Sequence, residues 1–342
     1  MASLDTTDLA REYAALREDC GLIDRSERGK LALTGADAVE FLNGQVTNEL
    51  ADLKPGEGRY AAFLTYKGKM LGDLRILAVD TAATDPRAPS GQTPSDETSE
   101  LLLDTERLAL QSLFDMIRRS KVGYRVELHK RTLESSLLSL IGPEAAVIAE
   151  RAFVYGPTEF PIGEHDHVAL GPVRLIATDV GIDVLCATEA KRPVVESLRA
   201  AGAESVSEAA AEIVRVEHGS PRFGVDIDES TIPQEAGLNE RAVSFAKGCY
   251  VGQETVARLY YKGRPNRRLR GLYLPAEPHP QTEPGTELKL GDRLVGHVGS
   301  SVVSPTLGRI GLALLRREAE PRATLTVGVS GATATVVELP FQ

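Results

Sequence analysis

From Pro265 onward the chain changes character, and this part limits the fold most strongly. Its apolar residues occur in short runs that Gly and Pro separate, namely GLYLP, TELKL, RLVGHVG, RIGLALL, ATLTVGV and TATVVEL. Short apolar runs bounded by turn residues are typical of β-strands. A series of such strands favours a small antiparallel barrel, because closure leaves no unpaired edge. The sequence therefore predicts an all-β domain over residues 263–342.

The preceding region, residues 1–262, mixes helical and strand patterns and predicts an α+β fold. The stretch GADAVEFLNG predicts a short helix that Asp37 caps. Residues 59–80 contain two apolar runs around a central glycine, which predicts a hairpin because Gly tolerates the positive φ of a tight turn. Residues 81–99 carry three prolines and no apolar periodicity, so we expect a flexible surface loop there.

Charge and composition exclude several classes of protein. The net charge of −10 should repel nucleic acid, so direct nucleic-acid binding is not expected. No apolar run is long enough for a transmembrane helix, and no secretory signal is recognisable, so we expect a cytoplasmic protein with no membrane partner. The three cysteines, Cys20, Cys186 and Cys249, lie far apart and form no C-x-x-C pair, so no resident metal or cluster is expected.

One basic segment opposes the acidic trend. Between residues 258 and 270 it contains Arg258, Lys262, Arg264, Arg267, Arg268 and Arg270. Such a local cluster is a candidate anion site, and a solvated linker face explains the charges equally well.

The stretch KGCYVGQE places one thiol between glycines. Lys247 lies two residues before Cys249, and a nearby cation favours the thiolate. Gln253 and Glu254 add an amide and a carboxylate, which suit a ring that carries both donors and acceptors. The alternative is a tight turn that buries a small cysteine, since no His or Asn partner is close in sequence.

Two further groups contain titratable side chains. Asp73 follows the hairpin turn in GKMLGD, where a carboxylate can face a cleft or bond its own backbone. His165-Asp166-His167 could hold a metal ion, but its position after a Pro-Gly turn predicts a solvated cluster instead.

Several of these stretches, in their order, resemble one known family. RVEHGSPRFGVDIDESTIPQEAGL, VSFAKGCYVGQE and ARLYYKGRPNRRLRGL resemble the YgfZ family of folate-binding proteins, which is part of the glycine-cleavage T-protein (aminomethyltransferase) superfamily. FLNGQVTNELADL and VVSPTLGRIGLALL are similar to the pattern of that superfamily as a whole. KGCYVGQE is specific to the YgfZ side, whereas SPTLG is shared with the aminomethyltransferases.

The resemblance implies a three-lobed ring around a folate cavity. Two interleaved α+β lobes, one of them ferredoxin-like, would come from residues 1–262, and the C-terminal antiparallel barrel would form the third. The implied cofactor is tetrahydrofolate or a one-carbon derivative. Asp73 or Asp183 would accept from the pterin, Tyr250, Tyr260 or Phe63 would stack on a ring, and arginines would hold the carboxylate tail. The implied folate-binding residues are Asp73, Asp183, Tyr250, Gln253, Glu254, Arg258, Arg264 and Arg268.

The resemblance also implies what the chain does, and two of its residues differ from those of the enzymes of the superfamily. Gly72 and Ala211 stand where the enzymes have an acid and an arginine. The chain would therefore be an accessory factor without turnover, supporting the assembly or repair of iron–sulfur enzymes, including tRNA-modifying ones. Its clients would be those enzymes or their assembly proteins. Cys249, Lys247 and Asp73 would be its reactive residues.

Two alternatives remain open at this stage. Asp73 favours an aminomethyltransferase or another folate-dependent one-carbon transferase. The basic segment 258–270 would suit an RNA-modification protein, and the net charge of −10 weighs against that function.

Overall fold

A computed structural model describes residues 6–80, 99–154, 160–161, 163–275, 282–329 and 331–341. The chain forms two compact units. The first comprises Met1–Leu64, Leu71–Glu208 and Arg241–Val251, and the second comprises Thr65–Met70, Ala209–Glu240 and Gly252–Gln342. The predicted boundary between residues 262 and 263 stays a prediction. Most of the predicted 81–99 loop lies outside the described residues, and Ser99 already belongs to a strand.

The described helices are α1 (Thr6–Glu18), α2 (Ala38–Asn43), α3 (Leu110–Ser120), α4 (Ala145–Phe153), α5 (Lys191–Ala200), α6 (Glu208–Glu217), α7 (Asn239–Ala242) and α8 (Gln253–Lys262). The described strands of the first unit, apart from Met70 at the start of β4, are β1 (Gly21–Asp24), β2 (Gly29–Thr34), β3 (Gly58–Leu64), β4 (Met70–Asp80), β5 (Ser99–Thr105), β6 (Glu127–Lys130), β7 (Ser135–Ile141), β8 (His167–Leu170), β9 (Val173–Thr178), β10 (Gly181–Ala187) and β11 (Glu204–Ser205). Those of the second unit are β12 (Arg267–Tyr273), β13 (Glu287–Leu290), β14 (Arg293–Ser304), β15 (Gly308–Arg316), β16 (Thr324–Val327) and β17 (Ala332–Val337).

The first unit contains two sheets whose strands interleave along the chain. One sheet has the order β3-β4-β5-β2-β6, and the other has the order β11-β1-β7-β10-β9-β8. The predicted hairpin between β3 and β4 is confirmed: the Thr65 N–H donates to the Lys69 carbonyl at 2.8 Å, and Gly68 has a φ of 75°. Helix α2 also forms as predicted, and Asp37 occupies its N-cap position. The Asp37 carboxylate binds Arg125 instead of a helix N–H.

The second unit contains the predicted barrel. Its strands close in the order β12-β15-β14-β13-β16-β17, and each described pairing is antiparallel. Alternate residues point inward, so every strand contributes to one apolar core. That core includes Leu272, Leu288, Val298, Leu315, Leu325 and Val336. The predicted α+β fold with a C-terminal antiparallel barrel is confirmed.

No helix among the described residues is long and apolar enough to cross a membrane.

Candidate functional site

Asp73 lies in β4 and is buried, although its side chain is ionisable. The Tyr60 hydroxyl donates to Asp73 Oδ2 at 2.7 Å, from the neighbouring strand β3. Burial raises the pKa of Asp73, and the Tyr60 hydrogen bond opposes that shift. Burial and the Asp73 charge raise the pKa of Tyr60 well above its ordinary value. Asp73 is thus a buried hydrogen-bond acceptor, and its protonation state depends on whether a ligand brings further donors or charges close to it.

Gly72 explains why no second acid accompanies Asp73. Its φ is 156°, and an added Cβ would come within 2.6 Å of the Ala109 Cβ and 2.7 Å of the Phe63 ring. Real Cβ atoms do not approach so closely, so a side chain here would require the backbone or the ring to shift. The local packing of this unit therefore accommodates glycine at this position.

Two residues beyond Asp73, Arg75 forms the centre of a buried ionic network. Its guanidinium donates to Asp183 Oδ2 at 2.7 Å and to Asp104 Oδ2 at 2.8 Å. Asp104 lies directly opposite Arg75 across the β4–β5 ladder, and Arg28 adds a contact to its Oδ1 at 2.8 Å. Burial alone would raise the pKa of Asp104, but Arg28 and Arg75 lower it below its ordinary value. Asp104 is therefore held as a carboxylate.

Asp183 has both of its oxygens engaged within this network. Ser139, opposite it across the β7–β10 ladder, donates its hydroxyl to Asp183 Oδ1 at 2.6 Å, and Arg75 holds Oδ2. The cavity beside Arg75 and Asp104 measures about 20 Å³, which is room for about one water molecule. A pterin does not fit in that cavity. The role of Asp183 as a pterin acceptor stays a prediction, and its observed role is to hold Arg75.

Tyr60 has a second set of charged neighbours. The guanidinium of Arg241 lies 5.7 Å from the centre of the Tyr60 ring, within the range of a cation–π contact. Arg241 also forms ion pairs with Glu164 and, at 3.2 Å, with Asp179. The ring of His165 lies 6.2 Å from that of Tyr60. Asp73 and Tyr60 therefore lie among polar groups of the first unit.

The predicted solvated cluster at residues 165–167 is wrong. His167 is 5% exposed, and burial lowers the pKa of both His165 and His167 to about 4. Arg174 donates to His167 Nδ1 at 2.8 Å, so that ring is neutral with its proton on Nε2. The sequence pattern misled because His167 is the first residue of β8, which pairs with β9, and does not lie in a solvated loop. Within the described residues no group of three or more potential ligands could hold a metal ion.

The KGCYVGQE stretch contributes an exposed thiol and a buried ammonium. Cys249 is a free, exposed cysteine. Lys247 is buried, and its Nζ donates to the Asn43 carbonyl at 2.7 Å, to Asn43 Oδ1 at 2.8 Å and to the carbonyls of Val46 and Asn48 at 3.0 and 2.5 Å. Burial lowers the pKa of Lys247 to about 8, and Glu49 opposes the shift. The Lys247 ammonium thus joins this stretch to the FLNGQVTN segment. Activation of the Cys249 thiol by Lys247 stays a prediction.

Replacing Lys247 with methionine should lower the free energy of unfolding by about 1–3 kcal/mol, because buried carbonyl oxygens lose their donor. Urea unfolding would measure the change. The Lys54→Met variant is a control, since Lys54 is exposed and its loss should change stability by less than about 0.5 kcal/mol. Equal effects of the two variants would contradict a structural role for Lys247.

The remaining predicted ligands separate into two groups. Tyr250 is buried in the first unit, where the Lys247 Nζ lies 5.3 Å from the centre of its ring, and burial raises its pKa to about 12. In the second unit Gln253 and Glu254 begin α8, and Arg258 is exposed on that helix. Arg264 and Arg268 line a cavity of about 330 Å³ together with Tyr260. Their roles toward folate stay predictions.

The sequence analysis missed Tyr60, Arg75, Asp104 and Arg28. One signal was present, because LGDLRILAV and LLLD place single charges inside strongly apolar strands. A charge in a buried strand requires a partner, so each such residue predicts another of opposite sign. The pattern does not say which residue is that partner.

Comparisons with known proteins agree with this fold. The model of the GCVT N-terminal domain matches residues 3–85, and that of the glycine cleavage T-protein C-terminal barrel domain matches residues 267–342. An aminomethyltransferase of Halothermothrix orenii is 26% identical over 98% of this chain and 92% of its own length. One from Rippkaea orientalis is 28% identical over 97% and 89%. A putative chloroplastic transferase of Arabidopsis thaliana is 27% identical over 94% and 71%.

Among solved structures, aminomethyltransferase T of the glycine cleavage system from Bartonella henselae has a TM-score of 0.82 at 22% identity, over 98% of this chain and 89% of that one. The chain therefore has the fold of a T-protein. The two domain models and the full-length relatives are similar to this chain at its two ends and along its length, and they come from the superfamily that the sequence resemblance implied.

Proposed function

We propose that this chain binds tetrahydrofolate and that Asp73 accepts hydrogen bonds from it. The observation that supports this proposal is the buried Asp73–Tyr60 pair, at 2.7 Å, on a T-protein fold. An unpaired buried carboxyl is costly, and Tyr60 supplies one donor to one of its oxygens. Further donors would favour the carboxylate, and the N–H groups of a pterin are such donors.

The polar groups around Asp73 suit tetrahydrofolate as a ligand. Asp73 offers carboxylate oxygens, Tyr60 a phenol, and Arg241 a cation next to the Tyr60 ring. When bound, tetrahydrofolate supplies the carrier of a one-carbon unit. In this proposal Asp73 orients the ligand, and the Tyr60 hydroxyl holds the Asp73 carboxylate in its orientation.

The use that we propose for this folate is support of iron–sulfur enzymes, with Cys249 as the functional thiol. Cys249 is exposed, as a thiol that meets a client or an assembly protein must be. Ala211 is buried on α6 and carries no charge, so this chain lacks the cation that the resemblance places there in the enzymes. Gly72 likewise provides no second acid.

A second candidate function is aminomethyl transfer. The relatives named aminomethyltransferase match almost the full chain, and Asp73 remains next to Gly72, where the resemblance places an acid in the enzymes. In that case Asp73 would act beside the reacting nitrogen of the folate, and Cys249 would be dispensable.

The first test is an anaerobic calorimetric titration with tetrahydrofolate. Binding with one ligand per chain at micromolar or lower Kd would support the proposal, and absence of binding would refute it. A second test separates the two uses. Cells that lack the protein should lose iron–sulfur enzyme activity, and the Cys249→Ser variant should fail to restore it. Formation of methylene-tetrahydrofolate from an aminomethylated carrier by both wild type and Cys249→Ser would instead identify an aminomethyltransferase.

A further inference from the structure

A cavity of about 550 Å³ in the second unit has an unusually basic lining for an acidic chain. Its charged lining residues are Lys69, Arg267, Arg293, Arg316, Arg317, Glu235 and Glu318, and Ser230 and Asn266 complete it. Five cations against two carboxylates give a formal surplus of three positive charges. The whole chain carries −10, so this concentration of cations is local.

Both carboxylates of the cavity already have a partner. Glu235, which is 5% exposed, receives two hydrogen bonds from Arg267, at 2.8 and 3.1 Å. Glu318 pairs with Arg293 at 3.0 Å. Within the described part of the chain the exposed side chains of Arg316 and Arg317 have no ion-pair partner. Two of the three surplus charges are therefore those of Arg316 and Arg317, and the third is that of Lys69, which donates to the Ser230 carbonyl.

The register of the barrel holds the cations together. Arg267 and Arg316 are direct partners across the β12–β15 ladder. The Arg317 N–H donates to the Asn266 carbonyl at 2.9 Å, which fixes the chain where β15 ends. Like charges directly opposite each other destabilise an antiparallel pair. Only Arg267 of that pair is compensated by a carboxylate, so an anion beside Arg316 would relieve the repulsion.

We propose that this cavity binds a small multivalent oxyanion, either a phosphate chain or a polycarboxylate. Arginine forks match both groups, because two parallel N–H donors meet two oxygens. The volume suits a small molecule. A long polyanion is a poorer ligand, because the acidic remainder of the chain repels it. The proposal does not depend on the proposed folate contacts of Asp73 and Tyr60, which lie in the first unit.

The test is calorimetric titration of the full-length protein with tripolyphosphate and, separately, with citrate. Wild type should bind one of the two anions with one site per chain. The Arg316→Glu/Arg317→Glu double variant should bind it at least about tenfold more weakly, because two forks are lost and two negative charges are added. The Arg316→Gln/Arg317→Gln variant should show a smaller loss and provides a second measurement if charge reversal impairs folding.

The matched control is Arg118→Glu/Arg192→Glu. These arginines lie on α3 and α5 of the first unit with side chains 65% and 89% exposed, and their reversal changes the net charge by the same amount. This control should bind like wild type. The anion that binds more tightly shows whether the cavity prefers a phosphate chain or a polycarboxylate. Failure of wild type to bind either anion, or equal losses in the two charge-reversed variants, would overturn the proposal.

Discussion

Replacing Arg75 with methionine is expected to lower the free energy of unfolding by about 3–5 kcal/mol. Arg75 is buried and joins Asp183, in one sheet of the first unit, to Asp104, in the other. Removal of one partner from a buried ion pair leaves an uncompensated charge, which costs far more than the pair contributes. Methionine has a similar length and no charge, so the lost stability measures the cost of leaving the Asp104 and Asp183 carboxylates without Arg75. Chemical denaturation followed by circular dichroism measures it.

The variant Arg192→Met provides the control for this prediction. Arg192 is paired with Glu196 on an exposed helix face, and such pairs contribute less than about 1 kcal/mol. A further variant, Arg75→Met with Asp183→Asn, should recover part of the loss, because one of the unpaired charges disappears. If Arg75→Met proved no more destabilising than Arg192→Met, the network would not contribute to stability as described.

Local sequence pattern was sufficient for the barrel and the β3–β4 hairpin. The barrel strands are short apolar runs that Gly and Pro turns separate, so both the strands and the breaks between them are visible in the sequence. Interleaving of the two sheets is different. β1 pairs with β7 and β11, whereas β2 pairs with β5 and β6. Such pairings depend on long-range packing, and only the family resemblance implied them.

The candidate site was predictable only where local sequence pattern marks a residue, and not where a long-range contact selects its partner. Asp73 stands out because it follows a glycine hairpin within an apolar strand. Its partners do not, because Asp104 and Asp183 lie 29 and 108 residues from Arg75 in sequence. Asp37 is similar: it occupies the predicted N-cap position, but Arg125 binds the carboxylate that sequence alone assigns to a helix N–H. Local pattern identifies a charged residue, and tertiary structure selects its partner.

The Asp73→Asn variant is expected to weaken tetrahydrofolate binding by about 10–100-fold. A hydrogen bond to a charged group contributes about 1.5–3 kcal/mol, and each 1.4 kcal/mol is a factor of ten in Kd. Asparagine has the same shape and can still accept from Tyr60, so the fold should remain intact. Calorimetry measures the affinity, and Asp52→Asn, at an exposed site, should bind like wild type. Unchanged affinity in Asp73→Asn would remove Asp73 from the folate site.

The pH dependence of binding tests the same carboxylate more directly. Burial raises the pKa of Asp73, so in wild type the affinity should be present above that pKa and fall as the pH is lowered through it. The Tyr60→Phe variant removes the hydrogen bond that lowers this pKa. Its loss of affinity should therefore begin at a higher pH than in wild type, whereas Asp73→Asn should not show this transition. A transition that stayed at the same pH in all three proteins would belong to the ligand or to another residue.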